Sequence, residues 1–265
     1  MKPKKSLGQN FLTSIPARIA IIKAGDLVST DTVLEIGPGK GFLTKGLLES
    51  GAHIIALEKD RDLLPILNET FELEVKNNQI TIIEGDALTF EPSLYQLQTQ
   101  GYKLIANIPY YITGAILSRY LSHTIQPQTM VVLVQKEVAE RVCARDGKES
   151  LLSLSVKCYG EPKLVYKVSK GSFNPIPSVD SGVLQIKNIG RNNFKNQYHE
   201  ALFFKLIHLG FAHKRKFALS NIKAGIKEVD MPTLFKEVGL SEKVRAEDVT
   251  LPTWLSLSLR VATHS

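Results

Sequence analysis

A chain of 265 residues with 43% hydrophobic side chains has room for one large domain or a medium domain and a small one, and no stretch is long and apolar enough to span a membrane. The formal charge of +7 is concentrated late: Arg191 to Ser265 holds 12 Lys and Arg against 7 Asp and Glu, a surplus that favours polyanions through phosphate contacts. Cys143 and Cys158 form no CxxC pair and have no histidine nearby, which argues against a disulfide framework or a zinc site and predicts two buried, inert thiols in a reducing cytoplasm.

The first ten residues are basic, with Lys2, Lys4 and Lys5, but no apolar core of a secretion signal follows them. A helix is expected over 15–27, with Ile19, Ala20 and Ile22 on its core-facing stripe. Short β-branched runs then alternate with helical stretches, the pattern of a parallel sheet with crossover helices. Strands are expected at 32–36, 53–58, 79–84, 102–106 and 129–134, and helices at 42–50, 61–74, 113–122, 136–144 and 150–159. Runs at 164–168 and 181–187 follow a helical stretch and are expected to close the sheet in antiparallel fashion. Near 188–196 the composition shifts to Asn, Gly, Arg and Lys, which reads as a linker. Beyond it only helical spacing recurs, at 198–209, 214–224, 231–238 and 252–261. The expected fold is α/β and Rossmann-like, a mostly parallel seven-stranded sheet over 1–187 with a small helical domain over 188–265.

The first expected strand runs straight into Gly37-Pro38-Gly39-Lys40-Gly41. Glycines there let the backbone approach a ligand, and the next helix presents free N–H groups. A dinucleotide turn would place its third glycine at position 42, which is Phe42; here it comes one residue early, at Gly41. That spacing disfavours a pyrophosphate seat and suits the nucleoside and amino acid parts of S-adenosylmethionine. The second strand ends at Glu58, a carboxylate about 20 residues beyond the turn that can accept from both ribose hydroxyls. The third ends before Asp86, which can accept from an adenine amino group. Either acid alone is an ordinary cap or loop charge. Together the three strand ends mark one ligand site at the carboxyl edge of the sheet.

Asn107-Ile108-Pro109-Tyr110 closes the fourth strand. Asn107 offers a side-chain oxygen, and Ile108 a backbone oxygen, to the two hydrogens of an exocyclic amine. Pro109 stiffens the turn, and Tyr110 can stack on a planar ring. Read alone, the tetrapeptide is equally a strand-ending turn.

With these residues in place, the chain resembles the ribosomal RNA adenine N6,N6-dimethyltransferase family over essentially its whole length. The resemblance runs through Lys5-Ser6-Leu7-Gly8-Gln9-Asn10-Phe11-Leu12, the Glu35 to Gly41 turn, Glu58, Gly85-Asp86, Asn107 to Tyr110, Gln135 to Arg141, and Phe173-Asn174-Pro175-Ile176-Pro177-Ser178-Val179-Asp180-Ser181. It implies a class I S-adenosylmethionine-dependent methyltransferase with Asn10, Leu12, Gly37, Gly39, Glu58, Asp86 and Asn107 around the methyl donor. It also implies that Asn107, Ile108, Pro109, Tyr110 and Phe173 hold a flipped adenine, since a base inside a helix cannot reach such a pocket. The 135–141 segment has no evident chemical role and reads as packing.

The family has a small-subunit branch and an antibiotic-resistance branch acting on the large-subunit RNA. The leading Lys-Lys-Ser-Leu-Gly-Gln, the 211–216 stretch and Val244 to Val249 lean toward the former. The implied reaction is dimethylation of two adjacent adenosines near the 3′ end of small-subunit (16S) rRNA, on a ribosomal assembly intermediate, by a cytoplasmic monomer that needs no metal. His213, Lys214, Arg215 and Lys216, expected to open a helix, together with Lys4 and Lys5, are the candidate RNA contacts. The alternatives are large-subunit (23S) methylation and a non-catalytic ribosome assembly factor.

Overall fold

The computed structural model describes residues 3, 4 and 7–264, the side chain of His264 excepted. Two compact units separate: one runs from the start of the described chain to Ala139 and resumes over Gly160–Ile189, and the other takes Glu140–Tyr159 and everything from Gly190 onward.

The first unit opens with a two-residue strand, β1 (Phe11–Leu12), and helix α1 (Ile15–Gly25). It continues through β2 (Thr32–Ile36), α2 (Phe42–Leu48), β3 (His53–Glu58), α3 (Leu64–Thr70), α4 (Glu72–Lys76), β4 (Ile80–Glu84), β5 (Lys103–Asn107), α5 (Thr113–Ser122) and β6 (Thr129–Gln135). After α6 (Lys136–Val142) and α7 (Leu151–Lys157) come β7 (Glu161–Val168), β8 (Phe173–Asn174) and β9 (Ser181–Lys187). Seven strands form one sheet in the order β4-β3-β2-β5-β6-β9-β7. Strands β2 to β6 run parallel, and β9 is antiparallel to both its neighbours. Met130 to Val134 are all fully buried, as the centre of a sheet covered on both faces requires. The strand order reverses between β2 and β5, so a crevice opens there at the carboxyl ends of the strands.

Two details depart from the sequence expectation. The buried face of α1 is Ala17, Ile21, Ala24 and Gly25, while Ile19 is 57% exposed. Ala17, Ala24 and Gly25 let α1 lie close on the sheet beside Ile21, Ile22 packs partly buried against the core as expected, and Ile15 and Ile19 turn outward. Strands β1 and β8 pair with each other as a separate ribbon, which no periodicity announces because two residues have no period.

Gly41 caps α2 with φ of 80°, and a Cβ added there would lie 2.5 Å from the ring of buried Phe71. A side chain is therefore excluded twice, by backbone conformation and by packing.

In the second unit, α7 packs with α8 (Gln197–Gly210), followed by α9 (Ala218–Lys223), α10 (Met231–Glu237) and α11 (Leu251–His264). The sequence reading placed one boundary at 187; the structure groups 140–159 with the later helices instead. Local bonds account for it: Asn193 donates to the Cys158 carbonyl, and the Tyr159 hydroxyl donates to Glu200. The core is aromatic and aliphatic, with Phe203, Phe235 and Trp254 fully or almost fully buried. Cys158 is buried, which pushes its thiol pKa up, whereas Cys143 is only half-buried. Residues 213–216 precede α9 and do not open it. The His213 carbonyl accepts from Lys216 N–H and from the Asn221 side chain, which closes a turn ahead of the helix. No described helix is long and apolar enough to cross a membrane.

Candidate active site

The turn after β2 is built for close backbone approach. Gly37, Gly39 and Gly41 have φ of 70°, 62° and 80°, and the Gly37 N–H donates to the Leu57 carbonyl at 3.0 Å. That bond ties the ends of β2 and β3 together and leaves Gly37 and Gly39 lining a cleft beside Glu58.

Glu58 is 6% exposed. One carboxylate oxygen accepts from Gly39 N–H at 3.0 Å, the other from Asp60 N–H at 2.8 Å. Burial raises its pKa, and these backbone donors work in the opposite direction. Each oxygen keeps a second lone pair, so the group is fixed in place and still able to accept from two hydroxyls. Asp86, also at the cleft, is held below the usual carboxylate range, first by the Lys59 ammonium at 2.8 Å and then by Leu88 N–H at 2.9 Å. The residues present thus fit a nucleoside bearing a diol and an amine, as S-adenosylmethionine does.

Across the cleft, Asn107 ends β5, and its Nδ2 donates to the Asn10 carbonyl at 3.2 Å. That bond sets the orientation of the amide: with nitrogen toward Asn10, Oδ1 is the atom left to accept from a substrate amine. Ile108, Pro109 and Tyr110 continue the wall. The Tyr110 hydroxyl hydrogen-bonds to Ser181 Oγ at 2.7 Å, anchoring one end of the ring on the first residue of β9.

The structure therefore brings Asn10, Gly37, Gly39, Glu58, Asp86 and Asn107 to Tyr110 around one cleft. It does not bring the Leu12 and Phe173 side chains there. Leu12 is 4% and Phe173 3% exposed, paired in register across β1 and β8 and packed in the hydrophobic core. Phe173, expected to hold a flipped adenine, is instead packed as an anchor of the loop it begins, and a stacking role would require its ring to leave that cluster. Lys4 is engaged by Asp60 and Asp62 and is not a free cation awaiting phosphate. Lys5 lies outside the described residues. His213, Lys214, Arg215 and Lys216 are all exposed, in the second unit.

Four contributors escaped the sequence reading: Gln9, Lys59, Asp60 and Ser181. The spacing Glu58-x-Asp60 at a strand end was a usable signal for one of them, since a second acid beside a buried first one needs cationic or amide partners. Glu35 is a further surprise. It sits in β2 behind the glycine turn, 1% exposed, and neither carboxylate oxygen has a hydrogen-bond partner among the described residues. Burial, reinforced by the charge of Glu58 and opposed by the Thr44 hydroxyl, pushes its pKa up to about 8.

Comparison with known proteins addresses the family and the fold. The family model described as ribosomal RNA adenine dimethylase matches residues 1–263. A relative from Dehalococcoides mccartyi, named ribosomal RNA small subunit methyltransferase A, is 39% identical over 99% of this chain and 89% of its own length. The crystal structure of a dimethyladenosine transferase from Plasmodium falciparum superposes with a TM-score of 0.82 at 25% identity, covering 96% of this chain and 98% of that one. The 23S rRNA methyltransferase ErmE has the same fold, with a TM-score of 0.76 at 24% identity over 96% of this chain and 100% of that one.

Proposed function

The chain belongs to the ribosomal RNA adenine dimethylase family, and from that premise we propose that it dimethylates the N6 amino groups of two adjacent adenosines near the 3′ end of small-subunit rRNA. The carrying observation is the Asn107 amide in the cleft lining, whose nitrogen is bound to the Asn10 carbonyl and whose oxygen is thereby the atom left to accept. The D. mccartyi relative's name favours the small-subunit branch, while the likeness to the 23S enzyme extends to the fold alone.

When bound, S-adenosylmethionine supplies an electrophilic methyl group on a sulfonium. Glu58 would hold its ribose hydroxyls and Asp86 its adenine amine, with the Gly37–Gly39 backbone beside them. The target N6 is a poor nucleophile because its lone pair is delocalised into the ring. Asn107 Oδ1 and the Ile108 carbonyl accept its two hydrogens, which favours a pyramidal nitrogen with the lone pair directed out of the ring plane. Tyr110 stacks on the extruded base, an interaction worth about 1–3 kcal/mol. Positioning supplies the rate, and no strong base is required because the amine becomes acidic as it gains a methyl group.

The exposed run His213 to Lys216 is the RNA-facing element of the second unit, and the substrate is a partly assembled small subunit met by a monomer. Its affinity for that RNA should fall steeply between 50 and 200 mM salt, on the order of one power of salt concentration per phosphate neutralised. Filter binding on wild type and a Lys214→Ala/Lys216→Ala variant reads this slope. An identical slope in the two would remove the run from the interface. The reaction itself is tested by tritiated methyl transfer from S-adenosylmethionine to unmethylated small subunits, with large-subunit RNA in parallel. Dimethyladenosine in the small-subunit RNA alone is the expected result; label in the large-subunit RNA alone would reverse the branch assignment.

A further inference from the structure

The basic N-terminal stretch contains Lys4, expected from the sequence to meet RNA, and Gln9, which lies in the cleft wall. Their side chains converge on Asp60. Lys4 Nζ donates to Asp60 Oδ1 at 2.6 Å and lies 2.7 Å from Asp62 Oδ2. Gln9 Nε2 donates to Asp60 Oδ2 at 2.7 Å, and Gln9 Oε1 accepts the Lys4 backbone N–H at 2.8 Å. The two arm residues thus brace one another while both grip the same carboxylate.

Asp60 is 2% exposed. Burial alone would disfavour its charged form, yet the Lys4, Gln9 and Asp62 N–H donors hold its pKa below the usual carboxylate range. An exposed ion pair contributes little, but a buried carboxylate with several charge-assisted donors is costly to break, because each departing donor leaves a desolvated acceptor behind. Residues Leu7 to Phe11 form one wall of the cleft. That wall is pinned at its far end by the Asn10–Asn107 bond and by β1 on β8, and at its near end by Asp60.

We infer that Asp60 is a positioning residue for the methyl donor: it latches the N-terminal arm against the cleft and so sets how long a bound S-adenosylmethionine stays, without lining the cleft itself. The inference rests on reading the cleft as the S-adenosylmethionine site. Glu58 and Asp60 then divide the work, one carboxylate taking the ligand and the other, two residues on, holding the wall beside it.

The test is the dissociation rate of S-adenosylmethionine from the full-length protein, by stopped-flow competition, for wild type, Lys4→Ala, Gln9→Ala and Asp60→Asn. Each variant should release the ligand about tenfold faster with little change in association rate. Lys4→Ala/Asp60→Asn should release it no faster than Asp60→Asn alone, because both act through one contact. Release from wild type should also quicken with salt, and release from Lys4→Ala should not, a signature that general damage to β3 would not produce. Lys4→Ala and Gln9→Ala leave Asp60 in place, so they separate the latch from any folding defect of Asp60→Asn. Wild-type binding with unchanged release from these two variants would overturn the latch alone. A wild-type chain that binds no S-adenosylmethionine would overturn the latch and the functional reading together.

Discussion

Asn107→Ala should lower kcat/KM for methyl transfer by about a thousandfold, since removal of one preorganised polar group from a reacting centre costs on the order of 10²–10³ in rate and the variant also loses the bond that pins the arm at Asn10. Binding of S-adenosylmethionine should weaken much less, because Glu58 and the glycine turn remain. Asn107→Asp is the sharper variant. It keeps an acceptor toward the substrate amine but sets a carboxylate oxygen against the Asn10 carbonyl where a donor stood. If orientation by the arm matters, Asp fails nearly as badly as Ala. Single-turnover transfer alongside ligand titration measures both effects, and near-normal turnover in Asn107→Ala would take this side chain out of the mechanism.

Glu35→Gln should change the pH dependence of stability more than any other single substitution in the sheet. The carboxyl has an ordinary pKa near 4.5 and a folded value of about 8, raised chiefly by burial. Below the ordinary value both folded and unfolded chains keep the proton, and the full stability is present. As pH rises from there the unfolded chain releases its proton while the folded chain retains it, so stability falls until pH passes about 8. The accumulated loss is on the order of 5 kcal/mol for a fully buried acid shifted this far. Glutamine keeps the shape without the titration, so the variant should be nearly level over the range in which wild type declines. Urea unfolding at pH 5, 6, 7 and 8 reads this directly. Parallel trends in the two proteins would mean that Glu35 is ionised in the fold with a partner of its own.

The sheet was legible because its strands are long enough to have a pattern. Thr32–Ile36, His53–Glu58 and Ser181–Lys187 coincide with their expected bounds, and three further strands lie within one residue of theirs at both ends. The cleft was legible because each of its groups sits at a strand end, where local sequence dictates position: Gly37 after β2, Glu58 at the end of β3, Asn107 at the end of β5. What stayed hidden depends on partners far away in the chain. That Phe173 is an anchor follows from its register with Leu12, and that Lys4 is a latch follows from Asp60. Ile19 misled because a large apolar residue on a helix is taken to face inward, whereas α1 uses its small residues to approach the sheet.

The pairing of β1 with β8 carries a consequence for synthesis. Thr13 bonds to the Ser172 carbonyl across 159 positions of sequence. A chain emerging from the ribosome can assemble β2 to β6 while β1 still lacks its strand partner, because β8 follows all of them in sequence. Domains fold as units during translation, amino-terminal parts first; here Phe11 and Leu12 are early in the chain yet wait for one of its later strands. The nascent chain is thus unable to form this ribbon until Asn174 has been translated, so a product interrupted before that point would keep the parallel strands β2 to β6 without the β1–β8 pairing behind the cleft wall.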